Sequence, residues 1–312
     1  MIDFIIFAVA MSALIYGASF IIKESERIAL HFNISHFVIG ATLVAFGTSL
    51  PEMAASMMAS YAGKSDMAVA NVIGSVIFNI TLVLGVVFFI AKKMSPKRDL
   101  FAMDSAWVVV PVVIFFIVVQ DGTIGRLDGV LYLLLMVSYL FFLFTDSKDL
   151  LECEIIEEAL EKSSFNWSKS LALLTIGFVF TIGGADFVVQ SGTNIARTFG
   201  VSEWIIGLFL ISLGTSLPEL IVSVVAIKKG NSDMSVGNII GSNVANFSMV
   251  LGGSSLIHPL TVDLAATKFD MLILVAASIT LLLILANKIY NKSGAIFLLV
   301  ILALFIQNSF HA

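Results

Sequence analysis

Two glutamates, Glu52 and Glu219, each close a copy of one hexapeptide, Gly-Thr-Ser-Leu-Pro-Glu, at Gly47 to Glu52 and again at Gly214 to Glu219. Each copy lies inside a stretch otherwise apolar enough to cross a bilayer. Charge in the hydrocarbon region is costly, so paired carboxylates at matching positions read as one cation site assembled from two halves of the chain. The proline removes a backbone donor, and the glycine four residues earlier permits unusual torsions. A helix break is therefore expected at 47–51 and at 214–218. Carbonyls freed near Ala45 and Ser212 would add oxygen ligands, because irregular backbone at membrane depth must line a cavity or hold an ion.

Side chains supply more oxygen. Thr48 and Thr215 stand four residues before the glutamates, and Ser49 and Ser216 stand three before them, so hydroxyls share the carboxylates' helix face. In the following span Ser75 and Asn79, and Ser242 and Asn246, repeat the four-residue spacing. Taken singly, these hydroxyls could bond the preceding helical turn and the amides could bridge helices. Together they make a set of carboxylates, hydroxyls, amides and carbonyls with no cysteine or histidine near them. Such hard ligands suit Na⁺ and Ca²⁺ rather than zinc or copper. With both glutamates ionised the site carries about two negative charges, which one Ca²⁺ or two Na⁺ neutralises. An empty site would be penalised, and uncoupled leak suppressed with it.

The elements that carry these residues are membrane helices. Of 312 residues, 59% are hydrophobic and only 12% charged, against about a quarter charged in soluble domains. At about 20 apolar residues per crossing, ten spans are expected near 3–22, 36–60, 66–91, 105–120, 127–145, 169–190, 203–227, 233–257, 270–287 and 294–309. The span containing Pro111 is the shortest. The first 22 residues lack a basic leader and read as a spanning helix, not a signal peptide. Assigning Lys and Arg to alternate sides gives 13 against 4, which puts the acidic linker in the cytoplasm and both termini outside.

Residues 33–85 align with 200–252 at a constant shift of 167, without a gap and with 25 identities in 53 positions. Five spans per copy is odd, so the second copy is upside down relative to the first, the architecture of secondary transporters. The expected fold is an all-α integral membrane protein of ten transmembrane helices, two inverted five-helix repeats with broken second and seventh helices. Repeat 1 covers residues 1–145, an acidic linker 146–168, and repeat 2 residues 169–312. Asp66 and Asp233 read as helix caps. Asp186 has Ser19 as its repeat partner and is left outside the site.

These motifs resemble those of the cation/calcium exchanger superfamily, in its Na⁺/Ca²⁺ exchanger branch, over essentially the whole chain. Its two alpha-repeats look like Gly40 to Gly85 and Gly207 to Gly252 here. The resemblance implies antiport of several Na⁺, commonly three, against one Ca²⁺ across the cell membrane at a row of central sites. It implies Ca²⁺ ligation by Glu52 and Glu219 with the carbonyls of Thr48 and Thr215. Flanking Na⁺ sites would use Ser49, Ser75, Ser216, Ser242 and the carbonyls of Ala45 and Ser212. It also implies that the first and sixth spans slide as a bundle, with Gly17 and Gly184 as small contact surfaces for that motion. Asparagine at 246, where some relatives carry aspartate, argues against K⁺ co-transport. An H⁺/Ca²⁺ antiporter is the nearest alternative, and a cation channel a more distant one.

Other classes find no support in the residues. No phosphate-binding loop points to ATP, no basic patch to nucleic acid, and no dyad or triad to an enzyme such as an intramembrane protease. Cys153 and the four histidines have no partner arrangement, and the acidic stretch lacks an EF-hand's spacing. No cofactor is expected beyond the transported ions, and an internally duplicated core is expected to work as a monomer.

Overall fold

The computed structural model describes residues 2–91, 94–151, 166–200 and 214–309. These fold almost entirely as helices: α1 (Ile2–Phe32), α2 (His36–Thr48), α3 (Leu50–Tyr61), α4 (Ser65–Ile90), α5 (Leu100–Val118), α6 (Arg126–Leu151), α7 (Trp167–Thr198), α8 (Leu217–Lys228), α9 (232–257), α10 (Lys268–Ala286) and α11 (Lys292–Ser309). Among the described residues six helices are long and apolar enough to cross a membrane, and α2 with α3, bent by 46°, makes a seventh. The remaining expected spans fall short for local reasons. Residues 203–213 lie outside the described residues, so α8 is the second half of its span. Helix α9 is continuous but carries six serines, three asparagines and four glycines. The apolar part of α11, Lys292–Asn308, is slightly short.

Helix ends follow local chemistry. Ser35, Asp99 and Asn166 cap α2, α5 and α7 by accepting the amides of Val38, Ala102 and Lys169, a contribution of about 1 kcal/mol each. The turns after α3 and α8 are superimposable in kind. Gly63 and Gly230 take φ of +70° and +84°, and Lys64 and Asn231 donate back to Ala59 and Ala226 at 2.8 and 2.9 Å, as a left-handed C-terminal cap requires. Asp66 and Asp233, expected as caps, are not caps; those positions belong to Lys64 and Asn231. Asp233 instead accepts the main-chain amides of Lys97 and Arg98 at 3.1 and 3.3 Å, tying the α4–α5 connection to α9.

Three expected spans run longer, the sixth because α7 continues eight residues past 190 to Thr198. Helix α1 continues to Phe32 because its polar last turns are paired inside the protein: Glu24 is fully buried, accepting from Ser170 of α7 at 2.8 Å and from Arg27 at 2.9 Å. Helix α6 extends to Leu151, into the stretch expected as linker; the rest of that acidic segment, with Cys153, lies outside the described residues.

Most buried side chains form one core joining α2, α4, α5, α6, α9, α10 and α11. Helices α1 and α7 pack along much of their lengths as a pair and touch the rest through two smaller clusters, one around Ile21, Val44 and Val225, the other around Leu14, Val188 and Leu217. Gly17 and Gly184 sit inside this pair. A Cβ on Gly17 would lie 2.6 Å from the Thr181 hydroxyl and 2.7 Å from the Gly177 carbonyl, and one on Gly184 would lie 2.9 Å from the Ala10 carbonyl. The two glycines therefore fasten α1 to α7, and do not form the surface on which the pair meets the core. Absent side chains let the two backbones approach, so that packing joins them.

Contacts sort to two ends. One end, the lysine face, holds Lys229 Nζ on the Ser19 carbonyl at 2.9 Å, Asn231 on Glu26, and Lys288 beside Asp99 at 3.4 Å. The other, the ladder face, joins β1 (Thr123–Ile124) to antiparallel β2 (Leu260–Thr261) and Ser60 to the Ser254 carbonyl at 2.6 Å.

Near the lysine face Arg98 pairs with Asp104 at 2.7 Å, both buried, with the guanidinium 4.6 Å from the Phe37 ring centroid. Removing one partner strands the other charge, at a cost of about 3–5 kcal/mol. Arg98→Met is expected to lower the thermal unfolding midpoint in detergent sharply, and Arg98→Met/Asp104→Leu to recover much of it; equal loss in both would show that the pair's charge is not what matters.

Candidate cation site

The break between α2 and α3 and the start of α8 bring both glutamates to the centre. Pro51 and Pro218 occupy the first turn of α3 and α8, where a missing N–H leaves no intrahelical gap, and Glu52 and Glu219 follow them. A carboxylate in the first turn faces the positive end of its half-helix. Both are buried, at 1% and 0% exposure. Ser49 and Ser216 hold matching backbone angles, φ −84° and ψ 5° against φ −87° and ψ 0°, in the capping position, yet neither side chain caps. The Ser49 hydroxyl instead crosses to the other half and donates to Glu219 Oε1 at 3.1 Å. Thr215 stands near Glu52 in the reciprocal position, and the Thr48 and Ser242 hydroxyls stand near Glu219. Each carboxylate is thus held from the opposite half, and the two are close enough to feel each other's charge.

The next helices complete the cage. Helices α4 and α9 both widen into a single π-helical turn, at Asn79–Val83 and Asn246–Leu251, and each turn begins on the expected asparagine. Such turns cluster at functional sites because they shift side chains out of the regular helical register. Asn79, Asn246, Ser75 and Ser242 are all buried. The Thr48 hydroxyl lies 3.2 Å from the Asn238 amide oxygen and 3.5 Å from the Ser242 hydroxyl, joining α2 to α9. Asn71 and Asn238 brace the half-helices in the same way, donating to Ser56 and Ser223 at 2.8 and 3.0 Å. Neither asparagine belongs to the site expected from the sequence, although 71, 75 and 79, like 238, 242 and 246, form one polar stripe at helical spacing.

Ala45 differs from expectation. Its carbonyl accepts the Ser49 amide at 3.0 Å and the Thr48 hydroxyl at 3.2 Å, so the break does not free it. Gly47, whose carbonyl would meet residue 51 in a regular helix, faces a proline without N–H. Ser212 lies outside the described residues.

Five buried oxygens of the expected set have no hydrogen-bond partner among the described residues: Glu52 Oε2, Glu219 Oε2, Asn79 Oδ1, Asn246 Oδ1 and Ser216 Oγ. Each unpaired buried group costs about 1–3 kcal/mol, a cost that cations bound among them would offset. No three of His, Cys, Asp and Glu cluster among the described residues. The donors are two carboxylates and neutral oxygens, the chemistry of Na⁺ and Ca²⁺ sites.

The two halves differ in access. The ring of Phe178 on α7 covers Gly47 so closely that a Cβ there would lie 1.9 Å from it. At the equivalent Gly214 a cavity of about 330 Å³ opens instead, lined by Pro51, Thr215 and Pro218 together with α7 residues from Ile182 to Val189.

The sodium/calcium exchanger protein family matches residues 2–145 and 169–310. The chain belongs to this family. An uncharacterised membrane protein of Methanocaldococcus jannaschii is 37% identical over 293 residues, 94% of this chain and 93% of that one. The sodium/calcium exchanger MaX1 of Methanosarcina acetivorans is 28% identical over 332 residues, 92% of each chain. A solved structure of the sodium-calcium exchanger NCX_Mj, soaked with 2.5 mM Na⁺ and 0.1 mM Sr²⁺, superposes with a TM-score of 0.83 at 32% identity, covering 98% of both chains. The family match and the superposition thus both extend over nearly the full length of the chain.

Proposed function

We propose that this chain is a secondary antiporter that exchanges Na⁺ for Ca²⁺, carrying Ca²⁺ out of the cytoplasm on the inward Na⁺ gradient. The observation that carries this reading is the cage of unpartnered oxygens around two interlocked carboxylates, one from each half. Its charge of about two is matched by one Ca²⁺ or by Na⁺ in multiples, so ions replace one another without exposing bare charge in low dielectric. Glu52 and Glu219 with the carbonyls of Thr48 and Thr215 hold Ca²⁺. Ser49, Ser75, Ser216 and Ser242, with Asn79 and Asn246 beside them, complete flanking Na⁺ positions. The carbonyl of Ala45 joins only if an ion displaces the Thr48 hydroxyl, and Ser212 is its counterpart in the second repeat.

The architecture behind it is ten crossings in two inverted five-helix repeats, 1–145 and 169–312. Its support is the constant shift of 167 residues together with the paired breaks, glycine turns and π-helical turns found at that shift. Access alternates as the α1–α7 pair moves over the core: Phe178 seals Gly47 while the cavity at Gly214 is open, and the reverse arrangement follows when the pair shifts. The lysine face is cytoplasmic, and both termini lie outside the cell membrane. One chain suffices, because both carboxylates come from it. With amides at 79 and 246, neither K⁺ nor protons are needed for coupling.

Isotope-labelled Ca²⁺ uptake into vesicles loaded with Na⁺, K⁺ or choline tests this. Uptake is expected only from Na⁺-loaded vesicles and is expected to survive collapse of any pH gradient. Uptake that follows the pH gradient would favour a proton antiporter; steady single-channel current would favour a channel.

A further inference from the structure

We infer that Asp186 is a capture site for hydrated cations on the path from the ladder face to the carboxylate pair. The inference rests on the exchange reading above and adds a residue to it. Asp186 lies on α7, one turn or so from Ile182 and Val189, so that 182, 185, 186 and 189 form a single stripe along the helix. That stripe is one wall of the 330 Å³ cavity, and Pro51, Thr215 and Pro218 make the opposite wall. Among the described residues Asp186 is the only charged group lining it. Its carboxylate takes one hydrogen bond, from Gln190 Nε2 at 2.7 Å, and no cationic partner among the described residues. An ionisable residue within a membrane helix faces a partner or a watery cavity; this one faces the cavity.

Continuity with the buried site runs through Thr215, which lines the cavity and stands near Glu52, and through Pro51, which precedes Glu52 in the chain. At about 30 Å³ per water, the space holds a cation with most of its first hydration shell. A lone carboxylate holds such an ion loosely, so it concentrates cations at the mouth without competing with Glu52 and Glu219. The repeat partner of Asp186 is Ser19, and there the sign is reversed: the Ser19 carbonyl is held by the Lys229 ammonium at 2.9 Å on the lysine face. Sequence symmetry is broken at this pair of positions, giving the two approaches opposite electrostatics. Charged mouths raise association rates by about 10- to 1,000-fold in favourable cases, an effect that salt removes.

Everted and right-side-out vesicles test this when Ca²⁺ dependence is measured on each face for wild type, Asp186→Asn and Asp186→Glu, with Glu52→Gln vesicles as background. At about 10 mM ionic strength, where screening reaches only beyond about 30 Å, Asp186→Asn is expected to raise half-saturating Ca²⁺ on one face roughly 3- to 10-fold. The other face and the maximal rate should stay within about twofold, Asp186→Glu should behave as wild type, and about 0.15 M salt should erase most of the difference. An unchanged half-saturation at low salt, an equal shift on both faces, loss of all flux, or failure of the Glu variant to rescue would each overturn the proposal. Wild-type vesicles that show no Na⁺-driven uptake would instead overturn the exchange reading.

Discussion

Glu52→Gln and Glu219→Gln are each expected to abolish Na⁺-driven Ca²⁺ uptake while leaving a folded protein. Glutamine keeps the shape and the hydrogen-bonding oxygen, so Ser49 still has a partner at position 219. What disappears is charge. Two unit charges 4 Å apart at an effective dielectric constant of 20 interact by about 4 kcal/mol, and a divalent ion doubles this. Loss of one carboxylate should therefore weaken Ca²⁺ binding by at least about 100-fold, 1.4 kcal/mol being tenfold. The same substitution relieves repulsion between two buried carboxylates that sense each other. Each variant's unfolding midpoint without Ca²⁺ should equal or exceed that of wild type, and the rise in midpoint on adding Ca²⁺ should vanish. Variants that keep Ca²⁺-dependent stabilisation would remove these carboxylates from the site.

Gly241→Ala is expected to damage stability and ion affinity together. A Cβ at 241 would sit 2.3 Å from the Ala41 carbonyl oxygen and 2.6 Å from its Cα, and one at Gly237 would meet the Phe37 carbonyl at 2.4 Å. These are backbone atoms of α2, so no rotamer change relieves the clash; α2 and α9 must separate. Overpacking of this kind costs about 1–3 kcal/mol. Separation also pulls Thr48, about two helical turns beyond Ala41, from Asn238 and Ser242. Detergent unfolding curves and Ca²⁺ titrations should fall together, with Ca²⁺ affinity reduced roughly tenfold for 1.4 kcal/mol. Gly183→Ala is the control, because a Cβ there meets no described atom within 4 Å. Similar losses in both variants would mean that helix flexibility, not the α2–α9 approach, is what matters.

Much of this was legible in the chain. Apolar lengths gave the helices to within a few residues wherever the bilayer dictates them, and the paired Gly-Thr-Ser-Leu-Pro-Glu segments located the breaks and both carboxylates. Where polar contacts inside the protein take over, the pattern fails: α1 runs ten residues further because Glu24 and Arg27 pair with each other and with Ser170. The π-helical turns at Asn79 and Asn246 leave no mark in residue spacing, since both fit a regular helix equally well. Ser49 stands in a capping position and would be read as a cap, but its hydroxyl crosses to Glu219 because only the folded protein puts an anion there. Nor does a symmetric sequence tell which half is open. Repeat-related Gly47 and Gly214 are identical in the chain, yet Phe178 of α7 lies over the first while the second lines a cavity.

The aromatic lid on Gly47 has an electrical consequence. On the exchange reading, water filling the cavity beside Gly214 while Phe178 covers Gly47 would concentrate the membrane voltage on the plug of side chains around Phe178. When the plug changes sides, an ion that has scarcely moved passes from one end of that field to the other. Each net elementary charge carried this way is coupled to about 2.3 kcal/mol per 100 mV. The membrane potential would then bias the conformational switch itself.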